Sequence, residues 1–420
     1  MKRHEFVLVI ALLVFGLVHH AVKVGRTEFA RGIRWNSSDL LSEQYRDFPQ
    51  PAVSFAGIDQ IDVDNPAGSV EVTPSADGQT TLKATIRVHG DDPAQAQPIA
   101  RLLKVDSQRQ GSRLTIAIAD KDRFPMRRAR IILSLQVPPT VALDIRNRFG
   151  RADIGTGRAL TLDEKYGDCR VEGIAGPLTL DQGYGTLRVA RIEGKGQIET
   201  KYSNVDIQDL GELFFSGKYA TVSIQRVKGL AQITQAYGPL TLDTARQAEI
   251  EAKHAKILLR NVPEGVRLSD SYKGVDLESC GGAIQLTGKY CRMKLSDIAA
   301  DSLVIENAYH PVSVERFSGK SIDIVLRNGD LNLKVLRVDE RITVDAQHAD
   351  VTLEYPAGTN PSLSLTTRHG DILNQTRRSF GTTSERSETE VSVPGGKPDI
   401  TLKTVYGDIV LNETLLEKAD

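Results

Sequence analysis

The sequence predicts an all-β protein: a single-stranded β-solenoid (β-helix-like) with coils of about 18 residues, an N-terminal β cap unit and an N-terminal transmembrane or signal-anchor helix. Three observations predict it. An aromatic residue recurs once per coil, apolar residues alternate with a period of two around it, and one long apolar run stands at the N-terminus. A fixed period of about 20 residues is typical of solenoids, and a period of two is typical of strands.

Residues 1–24 are predicted to be a signal anchor or signal peptide. Lys2 and Arg3 precede an uncharged apolar run, Phe6–Val18, which is the size of a signal-peptide core. Extending the run to Val24 makes it just long enough to span a membrane. His19 and His20 do not supply the small residues that a cleavage site needs, which favours an uncleaved anchor. Both alternatives place the rest of the chain in the cell envelope, periplasmic or extracellular.

Residues 25–52 are predicted to be a stalk, and residues 53–147 a β cap unit that shields the open end of the solenoid. Strands are expected near residues 58–63, 69–73, 81–88, 114–119 and 131–137, with a short helix over 98–105. Residues 148–420 are the predicted solenoid. Within them, residues 376–392 are polar and rich in Ser and Thr, which predicts a loop.

One template recurs through the predicted solenoid at what we call the ring column. Consecutive members are one coil apart, and only the last step, from His369 to Tyr406, is about twice as long. The members of the ring column are Phe149, Tyr166, Tyr184, Tyr202, Tyr219, Tyr237, His254, Tyr272, Tyr290, Tyr309, Asn328, His348, His369 and Tyr406. Stacked coils of this kind bury a continuous core that one coil cannot bury alone.

Apolar residues occupy fixed offsets from the ring column. They stand six and four residues before it and three, five and eight residues after it, which predicts two strands and a buried corner in each coil. The left-handed hexapeptide helix has a coil of similar length but requires an apolar residue every six positions, and Glu172 and Gln208 break that rule. A polar column two residues before the ring column, including Glu164 and Gln182, leaves the direction of the rings open.

Two columns near the rings are candidate binding surfaces. The lysine column, one residue before the rings, comprises Lys165, Lys201, Lys218, Lys253 and Lys289, with arginines at 148, 327 and 368. It would attract an anionic polymer, or serve as solvated edge lysines that deter aggregation. The rings would provide a stacking platform for sugars, or stabilise neighbouring strands.

The aspartate column stands two residues after the rings. Its members are Asp330, Asp350 and Asp371, expected in successive coils, and Asp408. They would bind calcium or act as turn formers, and the turn role is favoured because Asp often bonds to nearby backbone. His348 and His369, expected in adjacent coils, show no third metal ligand.

Composition argues against several classes of function. Lys and Arg total 53 and Asp and Glu 54, so a nucleic-acid partner is not expected. Three cysteines show no metal spacing, although a disulfide between Cys280 and Cys291 stays open. No nucleophile elbow, Walker loop, dinucleotide fingerprint or HExxH motif occurs, so we expect neither enzymatic activity nor a cofactor.

The repeats "KYGDCRV", "YGTLRV" and "YGDIVL", with "NPAGSVEV" and "LQVPPTVALDIRNRFGRADI", carry a resemblance across residues 55–411. The chain resembles the bacterial putative adhesin family, β-strand-repeat domains of unknown function that are often tethered at the envelope. The resemblance implies a fold and brings no catalytic residues. Our leading hypothesis is therefore a membrane-anchored, non-enzymatic envelope solenoid for adhesion, scaffolding or sensing, with a protein or polysaccharide partner at the cell surface. The alternative is a polysaccharide-active or polysaccharide-binding β-helical protein.

Overall fold

The structure is a computed structural model that describes residues 45–90, 93–119, 128–385 and 387–414. It confirms the all-β prediction, with 75% strand and a β-solenoid of about 12 turns whose coils follow the ~18-residue period. The predicted anchor at residues 1–24 and most of the predicted stalk lie outside the described residues. Among the described residues, no helix has both the length and the apolar character needed to cross a membrane.

One helix and 28 strands are described, numbered here in chain order. They are β1 (Tyr45–Pro49), β2 (Val53–Phe55), β3 (Gln60–Asn65), β4 (Gly68–Pro74), β5 (Thr80–His89), α1 (Pro93–Leu102), β6 (Val105–Gln110), β7 (Arg113–Ile118), β8 (Ala129–Val137), β9 (Ala142–Ile154), β10 (Ala159–Ile174), β11 (Leu178–Lys201), β12 (Ser203–Lys218), β13 (Thr221–Ala236), β14 (Leu240–Lys253), β15 (Lys256–Arg260), β16 (Gly265–Ser271), β17 (Gly274–Glu278), β18 (Gly281–Lys289), β19 (Arg292–Ala308), β20 (Val312–Arg327), β21 (Leu331–Gln347), β22 (Val351–Pro356), β23 (Pro361–Arg368), β24 (Ile372–Asn374), β25 (Thr383–Glu385), β26 (Glu388–Val393), β27 (Gly396–Val405) and β28 (Ile409–Thr414).

The middle coils stack in parallel with equivalent residues paired. Leu160 pairs with Leu178 and Tyr166 with Tyr184 between β10 and β11. This register lines up the predicted apolar columns, and their members are buried in one continuous core. Each buried Leu or Ile contributes about 1.5–3 kcal/mol relative to an exposed one. The prediction fails at Leu336, which is exposed, because the chain shifts register there and buries Val335 instead.

At the N-terminal end the spatial order of the coils departs from chain order. Strands β3 and β4 pair in parallel with β9 on one side and with β7 and β8 on the other. Residues 60–74 therefore form a coil inside the stack. Antiparallel β6 covers β7, and antiparallel β5 covers β8, so both strands are paired on this side of the stack. The helix α1 begins five residues before the predicted position.

The C-terminal end repeats this arrangement. Strand β27 pairs with both β21 and β23, and β28 pairs with both β22 and β24. The last coil of the chain, residues 396–414, is thus inserted between residues 341–356 and residues 361–374. The prediction of a loop over 376–392 is wrong in part, because β25 and β26 form an antiparallel pair that covers β23. Both ends of the rod consequently hold an inserted coil and an antiparallel cover.

Candidate functional site

The ring column forms a stack on the outside of the solenoid. Ring centroids in neighbouring coils lie 4.5 to 5.4 Å apart, with interplanar angles of 12° or less. The ten rings of the unbroken stack are Phe149, Tyr166, Tyr184, Tyr202, Tyr219, Tyr237, His254, Tyr272, Tyr290 and Tyr309. Tyr202 keeps 52% of its surface exposed and Tyr237 38%. The rings therefore point outward, which settles the direction that the sequence left open.

This stacking decides what the rings can offer a ligand. Because each ring covers the faces of its neighbours, only ring edges and phenol hydroxyls reach solvent within the stack. A sugar that stacks on an aromatic side chain needs a free face. The tyrosines of the column therefore present hydroxyl groups about one strand spacing, ~4.8 Å, apart, with an interruption at His254. The column is not the sugar-stacking platform considered above.

A left-handed backbone turn explains why the rings leave the core. From Tyr202 onward the residues of the ring column adopt positive φ, such as 52° at Tyr202 and 55° at Tyr219. This conformation reverses the alternation of inward and outward side chains at the corner. In two of the three earlier coils the glycine after the ring takes a positive φ instead, 148° at Gly150 and 131° at Gly185. Tyr carries no sequence signature of a left-handed conformation, so the pattern alone could not show this turn.

The polar column two residues before the rings is buried beneath them. Gln182 Nε2 donates to the Gly167 carbonyl and Gln235 Nε2 to the Ala220 carbonyl, each at 2.8 Å. Each carbonyl belongs to the residue after the ring in the preceding coil. Asn307, Thr404 and Thr367 make the equivalent bond to their own neighbouring coils. At five ring corners an internal polar side chain thus fastens the corner to the neighbouring coil, a role that the sequence analysis missed.

Two carboxyl groups belong to this internal column. Asn147 Nδ2 donates to Glu164 Oε2 at 2.6 Å, and burial raises the pKa of Glu164 to about 8. Asp270 accepts a hydrogen bond from Cys291 Sγ at 3.2 Å, and burial raises its pKa. Burial, reinforced by Asp270, also raises the pKa of the Cys291 thiol. Burial disfavours the charged form of all three groups, which suits a packed interior and opposes nucleophilic or acid–base chemistry at the surface.

The cysteines are buried free thiols. Cys169, Cys280 and Cys291 each lack a disulfide partner in this structure. Cys280 Sγ lies 3.5 Å from the Glu278 carbonyl, whereas Cys291 donates to Asp270 as described above. Burial raises the pKa of Cys169 and of Cys280, so neither is activated as a thiolate.

The lysine column runs beside the stacked rings on the same exposed side. Lys165, Lys201, Lys218, Lys253 and Lys289 are all exposed. None of the five forms an ion pair with any of the described residues. Two lean over the adjacent ring, with Nζ 5.6 Å from the ring centroid at Tyr219 and at Tyr290. The five lysines of the column are therefore cations without carboxylate partners among those residues, whereas Arg368 at its end lies 3.7 Å from Glu388.

The aspartate column is ordered differently from the prediction. Asp408 lies between Asp350 and Asp371, because the last coil of the chain is inserted there. Each carboxylate accepts the backbone N–H of the next aspartate: Asp330 from Asp350 at 3.1 Å, Asp350 from Asp408 at 2.8 Å and Asp408 from Asp371 at 2.8 Å. The carboxylates thereby join neighbouring coils at the corner.

The same insertion corrects the expected histidine pair. The Tyr406 ring stacks on His348 and on His369, each at 4.8 Å between centroids, so the two histidines are not in adjacent coils. Within the part of the chain that the structure describes, no three His, Cys, Asp or Glu side chains form a group able to hold a metal ion.

Two solved structures are similar over most of their length, with low scores. One is a putative cell adhesion protein from Clostridium sporogenes, at 6% identity, covering 88% of this chain and 100% of that one, with a TM-score of 0.17. The other is a putative adhesin from Bacteroides fragilis, at 11% identity, covering 88% and 97%, with a TM-score of 0.19. No curated protein matches the chain.

The family comparison establishes family membership, which the two structural similarities do not. The sequence pattern of the family described as Toastrack DUF4097 matches residues 58–412, which includes every coil described above. The match confirms the resemblance to an adhesin-like β-repeat family of unknown function. This chain belongs to the Toastrack family DUF4097.

Proposed function

We propose that this protein is a non-enzymatic solenoid of the bacterial cell envelope, anchored in the membrane by residues 1–24, whose exported rod binds anionic polymers of a cell surface. The binding surface is the lysine column together with the tyrosine hydroxyls beside it. The observation that supports this proposal is the row of lysines without carboxylate partners among the described residues. Lys201 and Lys218 lie directly opposite each other in neighbouring coils, and like charges placed so repel, so this pair does not serve stability.

Other lysines of the solenoid differ from those of the lysine column in having carboxylates nearby. Lysines on the other strand lie near carboxylates, such as Lys334 with Glu354 at 3.0 Å and Lys294 with Glu315 at 3.7 Å. Exposed cations aligned along a rod attract a polyanion through a field that ions in solution screen. Binding through the lysine column should therefore weaken as salt is added.

The test compares two triple variants of the full-length chain on immobilised polygalacturonate. Replacing Lys201, Lys218 and Lys253 by Gln should reduce affinity by about tenfold or more, since three exposed cations contribute on the order of 0.5 kcal/mol each. The control replaces Lys256, Lys294 and Lys334, which lie beside carboxylates, and removes the same charge. Equal losses in both variants, or no loss in the first, would count against the proposal.

Membrane anchorage requires a separate test, because residues 1–24 lie outside the described structure. We expect the full-length chain to stay in the membrane fraction after alkaline extraction, and a chain starting at residue 25 to be released. Release of the intact chain would remove the anchor from the proposal without affecting polymer binding.

A polysaccharide-active protein is the second candidate, and one feature favours it. A groove that crosses six coils borders the lysine column and contains the carboxylates of Glu199, Glu249 and Glu251. Release of reducing ends from a polysaccharide that binds the rod would establish this activity. Binding without any release supports the non-enzymatic proposal.

A further inference from the structure

A groove follows the outer face of the strand that precedes the ring corner. Two depressions of about 370 and 280 Å³ adjoin at Gln232 and Thr234 and together cross six consecutive coils. The groove arises because small residues stand three positions before the rings in four of the six coils, at Ser216, Thr234, Ser269 and Thr287. Longer side chains rise on both sides of them. At the strand spacing of ~4.8 Å, six coils make the groove roughly 24 Å long.

The lining is mostly polar and repeats once per coil. One wall consists of Gln197, Phe214, Gln232, Glu249, Arg267 and Gln285, and the Ser and Thr hydroxyls form the floor with Glu199 and Glu251. Side chains with both donors and acceptors, repeated along a line, match an extended polymer that carries hydroxyl groups in every unit. A peptide strand would instead seek a free sheet edge or apolar pockets, and the face of a parallel sheet offers neither.

The other wall is the lysine column. Lys218 and Lys289 stand two residues after Ser216 and Thr287, on the same outward side of the strand, and Lys201 and Lys253 stand two residues after Glu199 and Glu251. In the other two of the six coils this position holds Ala236 and Ser271. Each of the four lysines lies in a coil that lines the groove. A polymer in the groove would therefore meet hydroxyl-binding groups along its middle and cations along one edge.

The charges of the groove narrow the choice of polymer. Glu199, Glu249 and Glu251 lie within it, and they would repel a chain as densely charged as a nucleic acid. Carboxylates also accept hydrogen bonds from sugar hydroxyls. The ligand should therefore carry many hydroxyls and only one negative charge or fewer per unit, with the charges directed to the lysine side.

We infer that the groove binds an extended acidic polysaccharide. Its sugar hydroxyls hydrogen-bond to the Gln, Ser, Thr and Glu side chains of the wall and floor, and its carboxylates lie against the lysine column. This inference rests on the proposed function and adds to it the ligand class and a second contact surface, which the lysines alone do not supply.

The experiment fills the groove without changing its charge. In the full-length chain, Thr234→Trp with Ser269→Trp places two indoles on the floor. The matched control, Thr241→Trp with Ser313→Trp, places the same residues on the outer face of the other strand. Binding is measured with three probes: polygalacturonate, its carboxyl-reduced neutral form, and poly-L-glutamate, which has carboxylates but no sugar hydroxyls. Thermal unfolding confirms that each variant folds.

The groove predicts a specific pattern across the probes. The filled variant should lose polygalacturonate binding by about tenfold or more, the control should bind as the unchanged chain does, and poly-L-glutamate binding should be equal in all three proteins. The neutral polymer should bind the unchanged chain more weakly than the acidic one and be lost in the filled variant. Unchanged polygalacturonate binding in a folded, filled variant overturns the groove while leaving the lysine column intact. Failure of polygalacturonate and poly-L-glutamate alike to bind the unchanged chain overturns both proposals.

Discussion

In the coils of Tyr202 to Tyr309 the chain turns at two corners that both adopt positive φ but differ in their exposed side chains. One is the ring corner, and the second corner lies seven residues later, with φ of 57° at both Asp209 and Arg226. At the second corner the charges are neutralised between neighbouring coils: Arg226 Nε donates to Asp209 Oδ1 at 2.6 Å, and Arg316 pairs with Asp297 in the same way. At the ring corner the adjacent lysines have no such partners among the described residues.

This difference indicates that the ring corner, and not the second corner, is available for binding. Both corners hold the coils together, the second through ion pairs between coils and the ring corner through stacked rings outside and hydrogen-bonded amides inside. Stacked rings join the ring corners of neighbouring coils, and buried amides bond to carbonyls such as those of Gly167 and Ala220, so the ring corner has stabilising contacts that do not involve the lysines. Four sets of variants, taken in order of decreasing expected effect, test whether the two corners differ in this way.

The first contrast concerns the space at each corner. A Cβ at Gly167, beside the ring, would lie 1.5 Å from the Gly150 carbonyl oxygen, whereas one at Gly173, at the second corner, would meet nothing closer than the Gly155 oxygen at 3.1 Å. Gly167→Ala should therefore lower the free energy of unfolding by on the order of 3 kcal/mol. Gly173→Asn should cost less than about 1 kcal/mol, because Asn tolerates positive φ. Urea unfolding measures both, and equal losses would mean that the ring corner is no tighter.

The second contrast concerns the interior beneath each corner. Apolar residues such as Ile174 lie under the second corner, whereas Glu164 lies under the ring corner with its pKa raised from 4.5 to about 8 by burial. The folded protein then holds a proton that the unfolded chain releases. Stability from this group is fully present below about pH 4.5 and is lost as the pH rises through about 8, a change of a few kcal/mol.

Glu164→Gln tests the titration directly. Unfolding temperature should fall between pH 5 and pH 9 in the unchanged chain, and the variant should show a flatter profile. The exposed residue Glu193 provides a control, because Glu193→Gln should retain the slope of the unchanged chain. An undiminished slope in Glu164→Gln would assign the pH dependence to other groups.

The coils and their register could be predicted from the sequence, because the side-chain pattern repeats once in every coil. The register of Leu160 with Leu178 follows from the spacing of the repeat, and the lysine column follows from the same alignment. The order of the end coils did not follow, since every coil presents the same template to its neighbours. The Tyr406 coil can stack on His348 as well as on His369, and the structure places it between them. The groove also escaped prediction, because it depends on the relative heights of three neighbouring columns.

The third contrast removes one ring. Tyr219 stacks on Tyr202 at 5.0 Å and on Tyr237 at 4.8 Å, so Tyr219→Asn loses two ring contacts while keeping a residue suited to positive φ. We expect a loss of about 1–2 kcal/mol in unfolding free energy. The natural Asn328 shows that the corner accepts this side chain. An unchanged stability in urea unfolding would show that the exposed rings are not structural and would shift their role toward ligand contact.

The smallest contrast compares one cation from each corner. Arg226→Gln breaks an exposed ion pair with Asp209 and should lower stability only slightly, with the loss shrinking as salt is added. Lys218→Gln removes a cation that has no carboxylate partner among the described residues, so stability should be unchanged or rise slightly as repulsion from Lys201 is relieved. The effects on polygalacturonate binding should be the opposite: Lys218→Gln should weaken binding, and Arg226→Gln should leave it unchanged. If Lys218→Gln instead destabilises the fold as much as Arg226→Gln does, the lysine is a structural residue, and the distinction between a self-neutralised corner and a binding corner disappears.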